Sequence, residues 1–248
     1  MAPLPAARVN PSPPFTHVGI DYAGPIKIKT SFGRGHKSIK GYIVVFICLC
    51  TKAVHLEAVT SYDTSNFLNA FKRFVSRRGL CSHIYSDCGT NFVGADAQLK
   101  SMFSKGSDNS NKIFDDLAKK GIQWHFNPPA APHCGGLWEA AVNSSKFHLK
   151  RVIGDTCLSY EKISTLLSMI EACLNSRPSP PLTDDISDFR VLTPAHFLIG
   201  RTMTSLPDSS SQNLNPTLST RWKLLIKMRD DFLGIVASYL LTKFATSY

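Results

Sequence analysis

Residues Trp124–Glu139 have the sequence WHFNPPAAPHCGGLWE, in which a short apolar run is followed by prolines, two glycines and a carboxylate. The prolines exclude a helix and favour extended conformations in the residues that precede them. Gly135 and Gly136 allow the turn from which a helix can start. The stretch therefore predicts a strand, an ordered loop and a helix with Glu139 in its first turn. A single carboxylate in that position is ordinarily a favourable partner of the helix dipole.

Two further carboxylates have equally unusual surroundings. Asp21 lies inside the strand-like apolar run HVGIDYAGP, and Asp87 directly follows the short apolar run His83–Ser86. In an α/β sheet, ligands tend to bind where strands end. Asp21, Asp87 and Glu139 are therefore candidates for one site.

Four segments occur in the order GIDYAGP, YSDCGTNFVGA, FNPPAAPHCGGLWEAA and LTPAHFLIGR, between about Pro5 and about Phe232. Together they resemble the integrase catalytic core of Bel/Pao-type LTR retrotransposons, in the retroviral integrase superfamily. The resemblance implies an α/β, RNase H-like fold, with a five-stranded mixed sheet flanked by helices and a helical C-terminal extension.

The resemblance also implies a polynucleotidyl transferase that performs DNA 3′-end processing and strand transfer. Asp21, Asp87 and Glu139 would be both its catalytic residues and its metal ligands. Three close carboxylates repel one another unless a hard cation neutralises them, and oxygen ligands favour Mg²⁺ or Mn²⁺. Two such ions ~4 Å apart can activate an attacking oxygen and stabilise the leaving oxygen at phosphorus. The attacking group would be water in end processing and a DNA 3′-hydroxyl in strand transfer.

The predicted helix Leu137 to about Ile153 carries polar residues along one stripe. Glu139, Asn143, Lys146 and Lys150 recur at helical spacing. Such a stripe is often only a solvated surface with ion pairs between successive turns. The resemblance implies instead that it lies against DNA, with Lys146, Lys150 and Asn143 as DNA-binding residues.

Composition agrees with a nucleic-acid partner. The 248 residues have a formal net charge of +10, and a basic balance favours a polyanion. The sequence lacks a long apolar run and a signal peptide, and its seven cysteines suggest no disulfide framework. We expect an intracellular, nuclear protein that acts on element ends and target DNA as a homo-oligomer, with no membrane partner.

Three regions are predicted along the chain. Residues 1–14 form a linker, 15–176 form the catalytic core, and 177–248 form an extension of loop and helices whose tail after Phe232 is atypical of the family. Members of the family carry a zinc-binding module upstream and a basic domain downstream, and neither motif occurs within the 248 residues. We therefore expect the chain to nick DNA, or to reverse the joining of branched DNA, rather than to insert two ends together.

Periodicity and turn residues predict most other elements. The run His17–Lys29 should be a strand with a break at Gly24-Pro25, and Tyr42–Cys50 and Val54–Val59 should complete a meander. Thr64–Arg78 should be a helix whose basic side is solvated or touches phosphate. Further helices are expected at Ser159–Ser176, after Thr193 and at Trp222–Phe232. Strands are expected at His83–Ser86 and Trp124–Phe126.

Two alternatives remain open. One is a catalytically impaired nucleic-acid-binding relic of a retroelement. Cys88 favours the relic, because family members commonly have asparagine at this position. Cysteine in place of asparagine removes an amide group beside Asp87. The other is a metal-dependent nuclease of RNase H type, although no fourth acidic residue stands in a suitable position.

Overall fold

A computed structural model describes residues 9–30, 37–105, 121–127, 146, 149–179, 192–203 and 220–245. Within these residues the strands are β1 (His17–Lys29), β2 (Ser38–Cys48), β3 (Val54–Val59), β4 (His83–Ser86), β5 (Gln123–Phe126) and β6 (Leu158–Ser159). The helices are α1 (Thr64–Arg78), α2 (Thr90–Lys105), α3 (Tyr160–Asn175), α4 (Pro194–Ile199) and α5 (Thr220–Ala245). Residues 149–153 are also helical.

The sheet is mixed, with strand order β3-β2-β1-β4-β5, and β6 pairs separately with β1. β2 and β3 are antiparallel, whereas β4 runs parallel to both β1 and β5. β1 and β2 are sheet neighbours joined only by residues 30–37, a connection too short for parallel strands. This open sheet, flanked by helices, is the RNase H-like fold that the sequence predicted.

The chain divides into two compact units. The first consists of Met1–Ala23 and Tyr42–Val142, and the second of Gly24–Gly41 and Asn143–Tyr248. The long strands β1 and β2 contribute residues to both. The predicted domain limits at residues 14 and 176 stay a prediction.

Helix α1 has the bounds that its sequence predicts. The Asp63 side chain accepts a hydrogen bond from the Asn66 main-chain N–H at 2.7 Å and caps the helix start. Phe67 and Phe74 are completely buried, and the Phe74 ring stacks on Phe46 of β2 at 4.4 Å. This aromatic packing holds α1 to the sheet in the first unit.

The basic side of α1 is engaged with β3. Arg73 Nε donates to Glu57 Oε2 at 2.6 Å, and Arg77 Nη1 donates to Glu57 Oε1 at 3.2 Å. Glu57 is buried, so both guanidinium groups neutralise an interior carboxylate. Arg73 also donates to the main-chain oxygen of Ala58 on the edge strand, at 3.1 Å. Neither arginine is simply solvated, and both have a structural partner.

β1 spans the whole predicted run His17–Lys29, but the break predicted at Gly24-Pro25 is wrong, because the strand continues through it. Its first half pairs with β4. Beyond the proline, Ile28 and Lys29 pair with Leu158 and Ser159 of β6. A second partner strand, which local sequence does not reveal, explains why the strand does not stop.

The second unit is mainly helical. α3 buries the predicted apolar face, which includes Ile163, Leu166, Leu167, Ile170 and Leu174. α3 packs on α5, whose own buried residues are Leu225, Ile226, Met228 and Phe232. α5 continues as far as Ala245 instead of ending near Phe232. Across the described residues, no helix has the length and apolar character needed to cross a membrane.

Candidate active site

The sheet register brings two of the three predicted carboxylates together. β1 runs parallel to β4 with His17 opposite His83. When this register is continued, Asp21 lies opposite Asp87, just after the end of β4. Neighbouring strands are ~4.8 Å apart. The two aspartates therefore stand side by side at the carboxyl end of β4, with Asp21 half-buried and Asp87 exposed.

Main-chain donors orient both carboxylates. The Tyr22 N–H donates to Asp21 Oδ1 at 2.6 Å, and the Gly89 N–H donates to Asp87 Oδ1 at 3.1 Å. These donors belong to the backbone next to each aspartate, so the carboxylates are held by the strand and by the turn that follows it. Charge-assisted hydrogen bonds of this kind are stronger than neutral ones.

The pKa of Tyr62 is affected by both carboxylates. Tyr62 lies between β3 and α1, and its side chain is 41% exposed. The pKa of its phenol is raised mainly by partial burial and further by the negative charges of Asp87 and Asp21. One phenol is thus within electrostatic range of both aspartates. Nothing in the sequence around Tyr62 indicated this proximity, because the sheet brings the three residues together from separate segments.

Side chains behind Asp87 fix the strand end that carries it. The Trp124 indole N–H donates to Ser86 Oγ at 2.9 Å, and the Ser86 hydroxyl donates to the Asp87 main-chain oxygen at 2.8 Å. The Cys88 thiol donates to the main-chain oxygen of Asn127 at 3.1 Å. Cys88 therefore supplies a hydrogen-bond donor that ties the end of β4 to the residue after β5, which the sequence did not predict.

The side-chain amide of Asn91 is buried close to Asp87. Neither the amide nitrogen nor the amide oxygen makes a hydrogen bond of regular geometry within the described residues. The Tyr22 hydroxyl lies near the same amide and is also buried without such a bond. Burial raises the pKa of Tyr22, so it stays a neutral phenol. The two groups nevertheless interact, since a hydrogen bond with the Asn91 side chain acts to lower the pKa of Tyr22 against the larger effect of burial.

Gly89 leaves the space that this arrangement needs. A Cβ at position 89 would stand 2.7 Å from Asn91 Oδ1 and 3.1 Å from Asp87 Oδ1. Contacts that short would displace one of the two oxygens. Glycine at this position therefore keeps the Asp87 carboxylate and the Asn91 amide in place.

The remaining predicted site residues are only partly described. Glu139 and Asn143 lie outside the described residues. Lys146 and Lys150 are in helical segments, with Lys146 half-buried and Lys150 exposed. The buried residues Leu149 and Ile153 belong to the same part of the chain. Among the described residues, no group of three or more histidine, cysteine or acidic side chains could hold a metal ion.

Many solved structures resemble this chain, and two of them are integrase structures. The first is a chain of the simian T-cell lymphotropic virus intasome in complex with PP2A regulatory subunit B56 gamma, with 13% identity, a TM-score of 0.46, and coverage of 82% of this chain and 61% of that chain. The second is the catalytic core domain of BIV integrase, with 17% identity, a TM-score of 0.43, and coverage of 75% and 95%. No family model and no curated protein matches the chain. At these identities the likeness concerns the fold alone.

Proposed function

We propose that this chain is the catalytic core of a retrotransposon integrase of the Bel/Pao type, a polynucleotidyl transferase that processes DNA 3′ ends and joins them to target DNA. The observation that supports it best is the sheet register, which when continued sets Asp21 within β1 beside Asp87 at the end of the adjacent parallel strand β4. The motif order in the sequence extends the proposal to Glu139 as the third carboxylate.

The donor set around the aspartates suits Mg²⁺ or Mn²⁺. Asp21 and Asp87 offer hard carboxylate oxygens, and Asn91 adds a buried amide oxygen without a regular hydrogen bond. The nearest soft donor, the Cys88 thiol, is hydrogen-bonded to the Asn127 main chain. Two such ions held by Asp21, Asp87 and Glu139 would supply Lewis acidity at the phosphoryl and leaving oxygens.

The protein's own residues would orient the reacting groups. The main-chain N–H groups of Tyr22 and Gly89 fix the two carboxylates before substrate arrives, which lowers the reorganisation that the reaction requires. Lys146, Lys150 and Asn143 would contact the DNA backbone, and the net charge of +10 would attract DNA generally. The substrates would be element ends and target DNA in the nucleus, and the working form a homo-oligomer.

A nicking assay on a labelled DNA duplex tests the proposal. The parent chain should cut in Mg²⁺ or Mn²⁺ and not in EDTA. Asp21→Asn, Asp87→Asn and Glu139→Gln should each abolish cutting, because each removes a negative ligand with little change of volume. Asp155→Asn is the matched control, since Asp155 is 96% exposed and pairs only with Lys27 in the described contacts. Equal cutting by all variants would refute the site.

The same assay separates the alternatives. An RNA–DNA hybrid of the same sequence is the second substrate. Preferential cutting of its RNA strand would favour a nuclease of RNase H type. Salt-sensitive DNA binding without cutting in either metal would favour the non-catalytic relic.

A further inference from the structure

An exposed aromatic ring stands beside the two aspartates and has no role in the function proposed above. Tyr62 lies in the loop that leaves β3, directly before Asp63, the residue that caps α1. We propose that Tyr62 is a DNA-contacting residue whose ring stacks on an unpaired base at the DNA end held by Asp21 and Asp87. This inference rests on the proposed function, because it takes DNA as the ligand of that site.

The Tyr62 ring is held in place by other aromatic rings. Its centroid is 4.5 Å from that of Tyr22 and 5.3 Å from that of Tyr42, at interplanar angles of 53° and 60°. Tyr22 and Tyr42 contact each other edge-on at 6.3 Å. Tyr22 directly follows Asp21 in β1. The three tyrosines therefore form an aromatic corner next to one of the two carboxylates.

Tyr62 differs from its two neighbours in exposure. Tyr22 and Tyr42 are half-buried, whereas 41% of Tyr62 is open to solvent. A ring that is fixed by two others and still presents part of its surface loses little conformational freedom when a ligand stacks on it. Stacking of a base on an aromatic side chain is worth ~1–3 kcal/mol and tolerates any base.

The charge state of Tyr62 suits a polyanionic ligand. A phenol is neutral near pH 7, so the ring adds no negative charge beside a phosphate. The Tyr62 ring lies 4.5 Å from that of Tyr22, which directly follows Asp21. A strand bound at the aspartates would therefore run close to the ring. A base inside a duplex has both faces covered by its neighbours, whereas an unpaired base at a frayed or overhanging end can offer a free face to Tyr62. The proposal therefore assigns an unpaired end base to this ring.

Binding measurements in Ca²⁺, which is used here to limit turnover, test the inference separately from catalysis. The probe is a fluorescent duplex with a two-nucleotide single-stranded overhang. Tyr62→Ala should weaken binding by about 5- to 150-fold, whereas Tyr62→Phe keeps the ring and should bind within about twofold of the parent. The loss should shrink when the overhang is replaced by a blunt end. Phe197→Ala is the matched control and should bind like the parent, because Phe197 in α4 is an aromatic residue of similar exposure, 47%.

A second readout uses the unsubstituted chain, so it does not depend on how the alanine variant folds. A duplex with 5-iodouracil in its overhang is irradiated, and the crosslinked peptide is identified by mass spectrometry. Crosslinking at Tyr62 supports the inference. Crosslinks confined to other peptides overturn it, and so does equal binding by Tyr62→Ala and the parent. An equal loss of DNA affinity in Tyr62→Phe and Tyr62→Ala also overturns the inference. If Tyr62 crosslinks but the parent cuts nothing in Mg²⁺, the proposed catalytic function fails while the DNA contact stands.

Discussion

At the scale of single residues, the site depends on how closely the backbone can approach Asp87. Gly89 donates its N–H to that carboxylate, and a side chain at position 89 would collide with Asn91 and Asp87. The aspartate is thus positioned by a residue that contributes no side chain. Misplacement of a reacting group by about 1 Å can cost ~100-fold in rate.

We therefore expect Gly89→Ala to reduce the rate of metal-dependent nicking by roughly 10- to 100-fold while thermal unfolding shows a folded protein. The control is Gly234→Ala in α5, where an added Cβ meets nothing within 4 Å. Nicking rates at saturating Mg²⁺ compare the two. A Gly89→Ala rate equal to that of Gly234→Ala would contradict the role given to Gly89.

Glu57 is a second residue whose effect can be measured. Burial acts to raise its pKa, but hydrogen bonds and charge from His55 and Arg73 outweigh burial and lower it. Glu57→Gln should reduce the free energy of unfolding by roughly 1–3 kcal/mol, because it leaves Arg73 and Arg77 beside a neutral group. Urea unfolding at pH 7 measures this. Asp155→Asn breaks an exposed ion pair and should stay close to the parent, so an equal loss in both variants would refute the network.

The sign of the pH effect at Glu57 follows from its lowered pKa. A carboxyl group whose pKa is lower in the folded state than its ordinary value of 4.5 stabilises the fold above that value. Its contribution is lost as the pH falls through the lowered pKa. Glu57→Gln should therefore make the parent's loss of stability in acid less steep.

At the scale of elements, the beginnings of three parallel strands carry a cluster of rings. His17 of β1 stacks on His83 of β4 at 4.5 Å, and His83 Nδ1 lies 3.1 Å from His125 Nε2 of β5. Tyr85 stacks on His125 and reaches His17 with its hydroxyl at 3.5 Å. Burial, and then the neighbouring histidines, lower the pKa of His17 and of His83.

This cluster predicts a second loss of stability, at a higher pH than the loss caused by Glu57. A histidine whose folded pKa is below its ordinary value of 6.5 stabilises the fold above that value. Its contribution is lost as the pH falls below 6.5 towards the lowered pKa. We expect the free energy of unfolding to decline between about pH 7 and pH 5, and His83→Asn to make that decline shallower. If the free energy of unfolding declines equally with pH in the parent and in His83→Asn, the cluster is not the cause of the decline.

Elements defined by local sequence were predicted well, and elements defined by distant partners were not. The cap at Asp63 and the spacing of Phe67 and Phe74 gave α1 its observed bounds, because both act within one helix. The two-residue strand β6 could not be predicted, since only its pairing with the far half of β1 makes it a strand. The same pairing carries β1 past Gly24-Pro25.

The site shows the same division. Asp87 stood out as a candidate from the strand that it follows, and Asp21 from its place in an apolar run, and their role in a site stays a prediction. Tyr62 and Asn91 could not be assigned to the site, because the sheet and the start of α2 bring them to the aspartates from separate segments. The thiol hydrogen bond of Cys88 likewise depends on β5 lying beside β4.

At the scale of the whole molecule, electrostatics sets how the chain meets DNA. Lys150 is exposed, and Lys146 precedes it by four residues in the sequence. If both contact phosphate, Lys146→Ala and Lys150→Ala should each flatten the plot of log affinity against log salt by about one unit, with little dependence on DNA sequence. Lys100→Ala is the control, because Lys100 pairs with Asp96 on α2 at 2.7 Å. Slopes equal to that of the control would mean that neither lysine contacts phosphate.

The central claim is that Asp21 and Asp87 together bind a hard divalent cation, and Mn²⁺ binding followed by electron paramagnetic resonance tests it most directly. Titrations compare the parent chain with Asp21→Asn, Asp87→Asn and the surface control Asp155→Asn. We predict that the parent and Asp155→Asn bind Mn²⁺ alike, and that either site variant binds about tenfold more weakly or worse, since it loses a carboxylate ligand. Equal Mn²⁺ affinity in all four proteins would contradict the claim.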